Sequence, residues 1–302
     1  MSSAAATPVK PKKRLSIQRR NLRGWGYASP VAAVVLVFFV GPLVLMMYMS
    51  GTDWKMAGNQ GTNFPDNFKD VVSQRQFWPS ILFTLKYTVI ATVLLIGLGL
   101  ALAMLVQESS RWRGFLRTAF LIPTSVGLAS ASLLFYALYS PAVGPFKGIL
   151  AKFGVDAILG TSWGALIGTV FLIVWRYTGF YMLLLLVGLQ GISGDLYEAA
   201  RIDGASSGQI FRKITFPLLR PSLALCIIMC VTGSLLAFDQ FYILTKGAPD
   251  NSTITVVYLL YKLAFETKKH LGMGAALGVI ILIALVLINI FQLKVLRGDE
   301  DE

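Results

Sequence analysis

Six long apolar runs, separated by short polar segments, dominate the pattern of hydrophobic and polar positions in this chain. A helix needs about 20 apolar residues to cross a hydrocarbon core roughly 30 Å thick. The runs that reach this length are Ser29–Met49, Ile81–Val106, Phe115–Tyr139, Ala165–Leu189, Leu223–Leu244 and Met273–Leu293. The first run is too long for a signal-peptide core and no small-residue cleavage site follows it, so we expect it to be retained. The pattern predicts an all-α integral membrane protein with six transmembrane helices.

Polarity divides the chain into three parts. A basic tail over residues 1–28 precedes a transmembrane domain over residues 29–296, and a short acidic tail over residues 297–302 follows it. The composition agrees with this division, because 55% of the residues are hydrophobic, 14% are charged and the mean hydropathy is +0.67. The net charge of +12 does not predict nucleic-acid binding, since the basic residues lie in short segments between apolar runs.

Lys and Arg are distributed unequally between the two sides that six spans define. The segments on the side of the N-terminus hold 16 of these residues and the opposite segments hold 9, while Lys86 and Arg176 fall inside spans. Short cytoplasmic loops of membrane proteins carry an excess of Lys and Arg. We therefore expect both termini and the polar segment Ser193–Pro217 to lie in the cytoplasm.

The segment Ser193–Pro217 is a polar island between two apolar runs, and its capping signals predict two short helices. Ser193 suits the start of the first helix, and Gly204 suits the left-handed position that ends it. Ser206 and Gln209 have the spacing of a capping box for the second helix. We expect Pro217 and Pro221 to stop that helix before the next span. Small residues at the corner Asp203–Gly204 would let a partner's groove approach closely.

Two segments on the opposite side also carry helical signals. The sequence NFKDVVSQRQFW, within residues 51–80, predicts a short amphipathic helix at the membrane surface. Pro145–Phe153 predicts another. Tyr136 and Tyr139 are expected to be interfacial anchors at the end of the third span.

Polar side chains inside the spans are candidates for a substrate pathway. A central Arg costs about 2.5–3.5 kcal/mol on an insertion scale, so Arg176 should face a pore or a partner inside the bundle. Aromatic rings surround it, and the fifth run adds two polar groups; the candidate pathway is Trp175, Arg176, Tyr177, Tyr181, Asp239 and Gln240. Two alternatives remain open: Arg176 and Asp239 contact the substrate, or they pair with each other. Asn289 is expected to hydrogen-bond between helices.

The residues that often build metal or redox centres are few. Cys226 and Cys230 lie one turn apart in an apolar run and are expected to be buried thiols, and His270 is the one histidine. Gly272, Gly274 and Gly278 line one face of the last span, which suits close packing against another helix, either of this chain or of a partner.

The spacing of Glu198-Ala199-Ala200, Gly204 and Ile214-x-Phe216-Pro217 resembles the EAA motif of binding-protein-dependent ABC importer permeases. Further blocks over 114–123, 175–180, 197–205, 238–239 and 244–249 are similar to the carbohydrate-uptake branch, which includes maltose-type and glycerol-phosphate-type permeases. The likeness runs from about Arg19 to Leu293. Phe83, Lys147, Phe216 and Ala248 depart from the usual residues of these blocks.

The resemblance implies a type I ABC importer permease fold with cytoplasmic EAA coupling helices. The residues that would engage an ATPase are Glu198, Ala199, Ala200, Asp203, Gly204, Ile214 and Pro217. It also implies a second permease subunit, two copies of an ABC ATPase and an extracytoplasmic binding protein in a bacterial inner membrane. The chain has no G-x-x-x-x-G-K-[ST] loop. ATP and Mg would therefore belong to the partner ATPases, and we expect no cofactor and no enzymatic activity on this chain.

The function implied is import of a sugar or oligosaccharide by alternating access. The alternatives are a permease of the same kind for glycerol-phosphate, a polyamine or a peptide, an ion-driven secondary transporter, and a membrane enzyme. A secondary transporter would need acidic residues inside its spans, paired across two repeated halves of the chain. Asp239 is the one acidic residue inside the predicted spans. A membrane enzyme would need paired carboxylates or Ser/His sets, which the sequence does not offer.

Overall fold

The computed structural model describes residues 27–108, 110–142, 144–145, 158–267 and 269–297, and the chain divides into two compact units at Tyr48 and Met49. The first unit contains most of helix α1 (Tyr27–Ser50), which includes a π-helical turn at Leu36–Val40. Residues 1–26 of the basic tail, Phe146–Phe153 of the second surface helix with Lys147, and residues 298–302 of the acidic tail lie outside the described residues.

In its described residues the second unit is mainly helical, and a β-hairpin lies near its start. The hairpin pairs β1 (Thr52–Lys55) with β2 (Gly58–Thr62) in antiparallel fashion. The helices are α2 (Asp66–Ser73), α3 (Phe77–Val106), α4 (Arg111–Leu121), α5 (Leu128–Tyr139), α6 (Ser162–Gln190), α7 (Gly194–Ile202), α8 (Ser207–Leu235), α9 (Asp239–Leu244), α10 (Val256–Tyr261) and α11 (Leu271–Arg297).

The apolar helices are long enough to cross a membrane, as the sequence predicts. In the described residues, α1, α3, α6, α8 and α11 each have the length and hydropathy of a span. The third predicted span, Phe115–Tyr139, is not one helix. It is divided between α4, with a 3-10 turn at Ile122–Ser125, and α5, and the two parts meet at an angle of 94°. Six spans therefore result if this bent pair crosses the membrane.

The bend has a local cause. Pro123 has no N–H to donate to the preceding turn, so the regular helix ends at Leu121 and tightens into the 3-10 turn. Val126 and Gly127 then adopt extended backbone angles, with ψ of 128° and 142°. The apolar run predicted as the third span is therefore two helices joined at this point, because a proline in the run removes a backbone donor.

The predicted fifth span, Leu223–Leu244, is wrong at both ends. Helix α8 begins at Ser207 and passes through Pro217 and Pro221, whereas these prolines were expected to stop it. A π-helical turn at Phe211–Thr215 precedes Pro217 and opens the hydrogen-bond ladder where the proline donor is missing. At the other end α8 stops at Leu235, and Asp239 begins the separate short helix α9.

The hairpin is an element that the sequence analysis did not predict. Asn67 of α2 is fully buried and donates from Nδ2 to the carbonyls of Ser50 and Thr52 at 2.9 and 2.8 Å. The predicted helix over NFKDVVSQRQFW is shorter than expected, since α2 ends at Ser73 and Phe77 already starts α3. Asn67 thus ties α2 to the chain segment that enters the hairpin.

The hairpin also holds the start of α11. His270 pairs with Lys55 as an isolated bridge, and its Nδ1 accepts a hydrogen bond from the Met273 N–H at 3.1 Å. Its Nε2 lies 2.8 Å from Asp53 Oδ1. Lys55, and after it His270, lower the pKa of the Asp53 carboxyl, because both stabilise the carboxylate. Gly272 and Gly274 pack against Thr52 and Ala264, so this stretch of the glycine face serves contacts within the chain.

Two apolar clusters form the interior of the second unit. The larger joins α3, α5, α6, α8 and α9, and the smaller joins α2, α3, α10 and α11. Tyr139 belongs to the larger cluster and donates from its hydroxyl to the Gly168 carbonyl at 3.0 Å, so it is not an interfacial anchor. Asn289 accepts a hydrogen bond from Thr232 at 3.3 Å between α11 and α8, which confirms its predicted role.

Candidate functional site: a central cavity and a polar helical loop

A cavity of about 370 Å³ lies where α3, α5, α6, α8 and α9 meet. Its wall includes Tyr87 of α3, Leu128 of α5, Tyr177 and Tyr181 of α6, and Cys230, Ser234, Phe238, Asp239 and Gln240 from α8 and α9. Tyr87 stands ten residues into the 30-residue helix α3, and Tyr177 stands fifteen residues into the 29-residue helix α6. The cavity therefore lies beside the interior of both apolar helices, and its volume is in the range of small-molecule sites.

Polar groups without partners face this cavity. Gln240 is buried and donates from Nε2 to the Tyr87 hydroxyl at 3.2 Å, while its Oε1 has no hydrogen-bond partner among the described residues. The Asp239 carboxylate makes no ion pair or hydrogen bond with any side chain that the structure describes. Both acceptors are held in place by α9, which begins where the long helix α8 ends. The cavity thus combines aromatic faces with free acceptors for hydroxyl donors.

Four of the six residues predicted for the substrate pathway come together here. Tyr177, Tyr181, Asp239 and Gln240 line the cavity. Trp175 and Arg176 do not line it. The Trp175 ring packs on Phe135 of α5 at 5.3 Å between ring centroids, and Arg176 donates from Nε to the carbonyl of Val126 at 2.7 Å.

The structure bears on one of the two alternatives left open for Arg176 and Asp239. No ion pair joins them in the described part of the chain, because Arg176 binds the Val126 carbonyl and Asp239 lines the cavity. The pairing alternative is therefore not formed, and contact with the substrate stays a prediction. The carbonyl that the bend exposes at Val126 supplies the partner that Arg176 needs inside the apolar region.

Sequence reasoning missed several wall residues because they look like ordinary span residues. Tyr87 and Phe238 are aromatic, Cys230 and Ser234 are small, and Leu128 is apolar, so none stands out from an apolar run. A usable signal was the pair of breaks at Gly127 and at 236–238, because irregular backbone at membrane depth occurs where it lines a cavity or is covered by protein.

The polar segment Ser193–Pro217 folds largely as its capping signals predict. Ser193 accepts a hydrogen bond from the Asp195 N–H at the start of α7, and Gly204 has φ of +77° at the corner after it. Ser206 and Gln209 form the reciprocal capping box at the start of α8. The Tyr197 hydroxyl lies 3.3 Å from Thr215 Oγ1 and links α7 to α8. The loop is thus a defined helical corner.

The predicted coupling residues are spread along the accessible side of this corner. Glu198, Ala199, Asp203 and Gly204 are exposed, whereas Ala200, Ile214 and Pro217 are half-buried. Ile202 is 85% exposed at the end of α7, beside the corner.

The fold is that of chains in solved transporter structures. Two crystal structures of a bacterial ABC transporter that imports the acidic polysaccharide alginate contain chains with this fold. One aligns with a TM-score of 0.81 at 20% identity, covering 93% of this chain and 96% of that chain. The other is a complex with a periplasmic protein bound to alginate pentasaccharide, with a TM-score of 0.79. The chain therefore has the fold of an ABC importer permease.

The chain belongs to the family described as "Binding-protein-dependent transport system inner membrane component", whose model matches residues 93–297. It is 34% identical to the trehalose/maltose transport system permease protein MalF of Thermococcus litoralis, over 92% of this chain and 95% of that protein. It is 33% identical to the multiple sugar-binding transport system permease protein MsmF of Streptococcus mutans, over 95% and 100%. The sn-glycerol-3-phosphate transport system permease protein UgpA of Agrobacterium fabrum is 31% identical over 88% and 92%.

Family membership confirms the resemblance inferred from the EAA spacing and the flanking blocks. The chain is a multi-pass inner-membrane permease subunit of an ABC transporter, and it is not an enzyme. The secondary-transporter and membrane-enzyme alternatives are therefore wrong.

Proposed function

We propose that this permease moves a neutral sugar or short oligosaccharide through the central cavity and into the cytoplasm by alternating access. The observation that carries the proposal is the cavity wall, where tyrosine rings stand beside two acceptors that have no partner in the described residues. Sugar rings present apolar faces to aromatic rings and hydroxyl donors to carboxylate and amide oxygens. Sugars are also named for several of the relatives.

The charge of the cavity favours a neutral sugar over a sugar phosphate. The described lining residues include Asp239 and no Lys or Arg. A phosphate group would meet the Asp239 carboxylate without a Lys or Arg of the described lining to offset it, and like charges repel. A cationic polyamine is the alternative that the same carboxylate would accept, so it belongs in the substrate panel.

The polar loop supports a second part of the proposal, namely coupling to ATPase subunits. Glu198 would pair with a basic residue of the ATPase, and the small residues Ala199, Ala200, Asp203–Gly204 and Ala205 would let the cleft close on the corner. Ile214 and Pro217 would hold the beginning of α8 so that movement of the corner reaches the cavity. This arrangement requires the loop and both termini to be cytoplasmic, as the Lys and Arg distribution predicts.

The remaining partners follow from the same proposal. A second permease subunit would complete the pore, two ATPase copies would bind ATP and Mg, and an extracytoplasmic binding protein would deliver the sugar. These components would sit in a bacterial cytoplasmic membrane, with this chain contributing one of the two coupling loops.

Uptake by the reconstituted transporter tests the substrate. We expect ATP-dependent uptake of at least one of labelled maltose, trehalose, lactose or a maltooligosaccharide, and no uptake of sn-glycerol-3-phosphate or putrescine. Asp239→Asn and Tyr177→Leu should each raise KM by about tenfold, the effect expected for loss of one hydrogen bond or one stacking contact. Transport of putrescine that is lost in Asp239→Asn would overturn the sugar assignment.

Charge reversal in the loop tests the coupling. Glu198→Lys should abolish copurification of the ATPase and transport while membrane insertion remains normal, because the predicted ion pair becomes a repulsion. Glu198→Asp keeps the charge and is the matched control, with at least partial activity expected. Normal ATP-coupled uptake in Glu198→Lys would remove the coupling role.

A further inference from the structure

Arg176 replaces a backbone hydrogen bond that the bend in the third span removes. Its Nε donates to the carbonyl oxygen of Val126, in the extended link between the 3-10 turn and α5, at 2.7 Å. The Thr124 hydroxyl donates in the other direction, to the carbonyl oxygen of Arg176, at 2.9 Å. Backbone carbonyls at membrane depth need an internal partner. The bend is therefore bound to α6 at two points, one on each side of Ser125.

Trp175, the neighbour of Arg176, contacts the helix that follows the bend. Its ring lies 5.3 Å from that of Phe135, near the middle of α5. Helix α5 in turn packs against α9, the helix that carries Asp239 and Gln240. A displacement of α5 would therefore be passed to the polar groups of the cavity.

Arg176 also touches the cavity wall directly. Its guanidinium carbon lies 4.2 Å from the centroid of the Tyr177 ring, and Tyr177 lines the cavity. Leu128, two residues beyond the carbonyl that Arg176 binds, lines it as well. Nη1 of the same guanidinium is buried and has no partner among the described residues. One side chain thus contacts both the bend and an aromatic ring of the wall.

We propose that Trp175 and Arg176 are positioning residues of the transport site, which hold α5 at the bend and so set the width of the central cavity. The meaning of this positioning role for transport rests on the proposed function. The packing of Trp175 and Arg176 against α5 and the cavity wall can be tested without a substrate. Arg176 acts through Val126 and Tyr177, and Trp175 acts through Phe135.

The cavity contains a native reporter of its width. Both thiols are buried, with Cys226 0% and Cys230 2% exposed, but Cys230 lines the cavity and Cys226, one turn earlier on α8, does not. The rate at which N-ethylmaleimide modifies each thiol is measured by mass spectrometry in native membranes that contain the complete transporter. The modification rate of Cys226 measures general loosening of α8. The ratio of the Cys230 rate to the Cys226 rate measures the width of the cavity.

Arg176→Met should raise the rate at Cys230 by about tenfold, the factor for one hydrogen bond of a charged donor, and leave Cys226 unchanged. Arg176→Lys should give a smaller increase, because lysine keeps a charged donor and loses the planar stacking on Tyr177. Trp175→Leu should raise the rate at Cys230 by the separate route through Phe135, and it decides the test if Arg176→Met fails to insert.

Arg113→Met is the matched control, since Arg113 lies on α4 and pairs with the exposed Glu108. Two outcomes would overturn the proposal. One is a Cys230 modification rate in the inserted variants within about twofold of that in the unaltered protein, and the other is an equal increase of the rates at Cys226 and Cys230. With labelled maltose as the transport probe, we expect Arg176→Lys to raise KM more than it lowers the maximal rate. Absence of uptake of all four labelled sugars (maltose, trehalose, lactose and the maltooligosaccharide) in the unaltered protein would count against the substrate assignment alone, because the thiol rates need no substrate.

Discussion

Single residues in this protein act mainly through the backbone groups that they leave free or approach closely. Arg176 binds a carbonyl that the bend exposes, and Asn67 binds two carbonyls beside the hairpin. Gly179 shows the same principle by having no side chain. A Cβ added there would stand 1.9 Å from the carbonyl oxygen of Phe120. Helices α6 and α4 therefore approach each other at a distance that only glycine permits at this point.

Gly179→Ala should destabilise the protein, because the contact is with rigid backbone and one of the two helices must shift. Overpacking of this kind costs about 1–3 kcal/mol. We expect a lower midpoint of thermal unfolding for the purified chain in detergent. Gly97→Ala is the control, since an added Cβ there meets no atom within 4 Å. Equal midpoints for the two variants would show that the α4–α6 contact is looser than described.

The elements are defined by their caps and breaks more than by their apolar content. The corner Asp203–Gly204 and the capping box of Ser206 shape the polar loop, while the π-helical turn at Phe211–Thr215 lets α8 continue through two prolines. The loop therefore starts the same helix whose far end borders the cavity at Cys230 and Ser234. A continuous helix is a direct mechanical route between a coupling loop and a transport site.

Ser206→Ala should loosen the first turn of α8 without affecting the rest of the helix. An N-cap serine contributes about 1 kcal/mol, which corresponds to about fivefold faster amide exchange over the first helical residues. Hydrogen exchange of Ser207–Ile210 in the purified chain measures the effect. Ser207→Ala, one residue inside the helix, is the control and should leave exchange within twofold. No change in Ser206→Ala would mean that tertiary contacts, and not the cap, fix this turn.

At the scale of the whole molecule, two breaks create one cavity. The bend before α5 and the interruption between α8 and α9 face each other across the wall that Leu128, Asp239 and Gln240 share with α6. Long unbroken helices surround these breaks on α3 and α6 and form the larger apolar cluster. The two breaks thus bring polar groups to the cavity, where a polar ligand would need them, inside an otherwise apolar bundle.

The bent pair should count as a transmembrane crossing, because the proposed orientation puts both termini on the same side. In a background with Cys226→Ser and Cys230→Ser, a membrane-impermeant maleimide should label Ala142→Cys from outside the cell. Arg113→Cys should be labelled only after permeabilisation. Labelling of both positions from one side would make Arg111–Tyr139 a re-entrant loop and place the termini on opposite sides.

The sequence by itself determined the class of the protein, the family and the design of the polar loop. Long apolar runs specify membrane helices through the cost of exposing polar backbone to lipid, and the caps at Ser193, Gly204 and Ser206 act within a few residues of themselves. The EAA spacing is equally local. Such features can be read along the chain because their causes lie along the chain.

Only the tertiary structure decided where the pathway residues lie. The sequence gives no reason to separate Trp175 and Arg176 from Tyr177 and Tyr181. Trp175 nevertheless packs on Phe135 of α5 and Arg176 binds the bend, whereas Tyr177 and Tyr181 line the cavity. The alternative in which Arg176 pairs with Asp239 is not formed, because the Nε of Arg176 binds the carbonyl of Val126. That carbonyl is available to Arg176 because the third span bends by 94°. Hydropathy does not predict a polar partner that arises from a backbone break elsewhere in the chain.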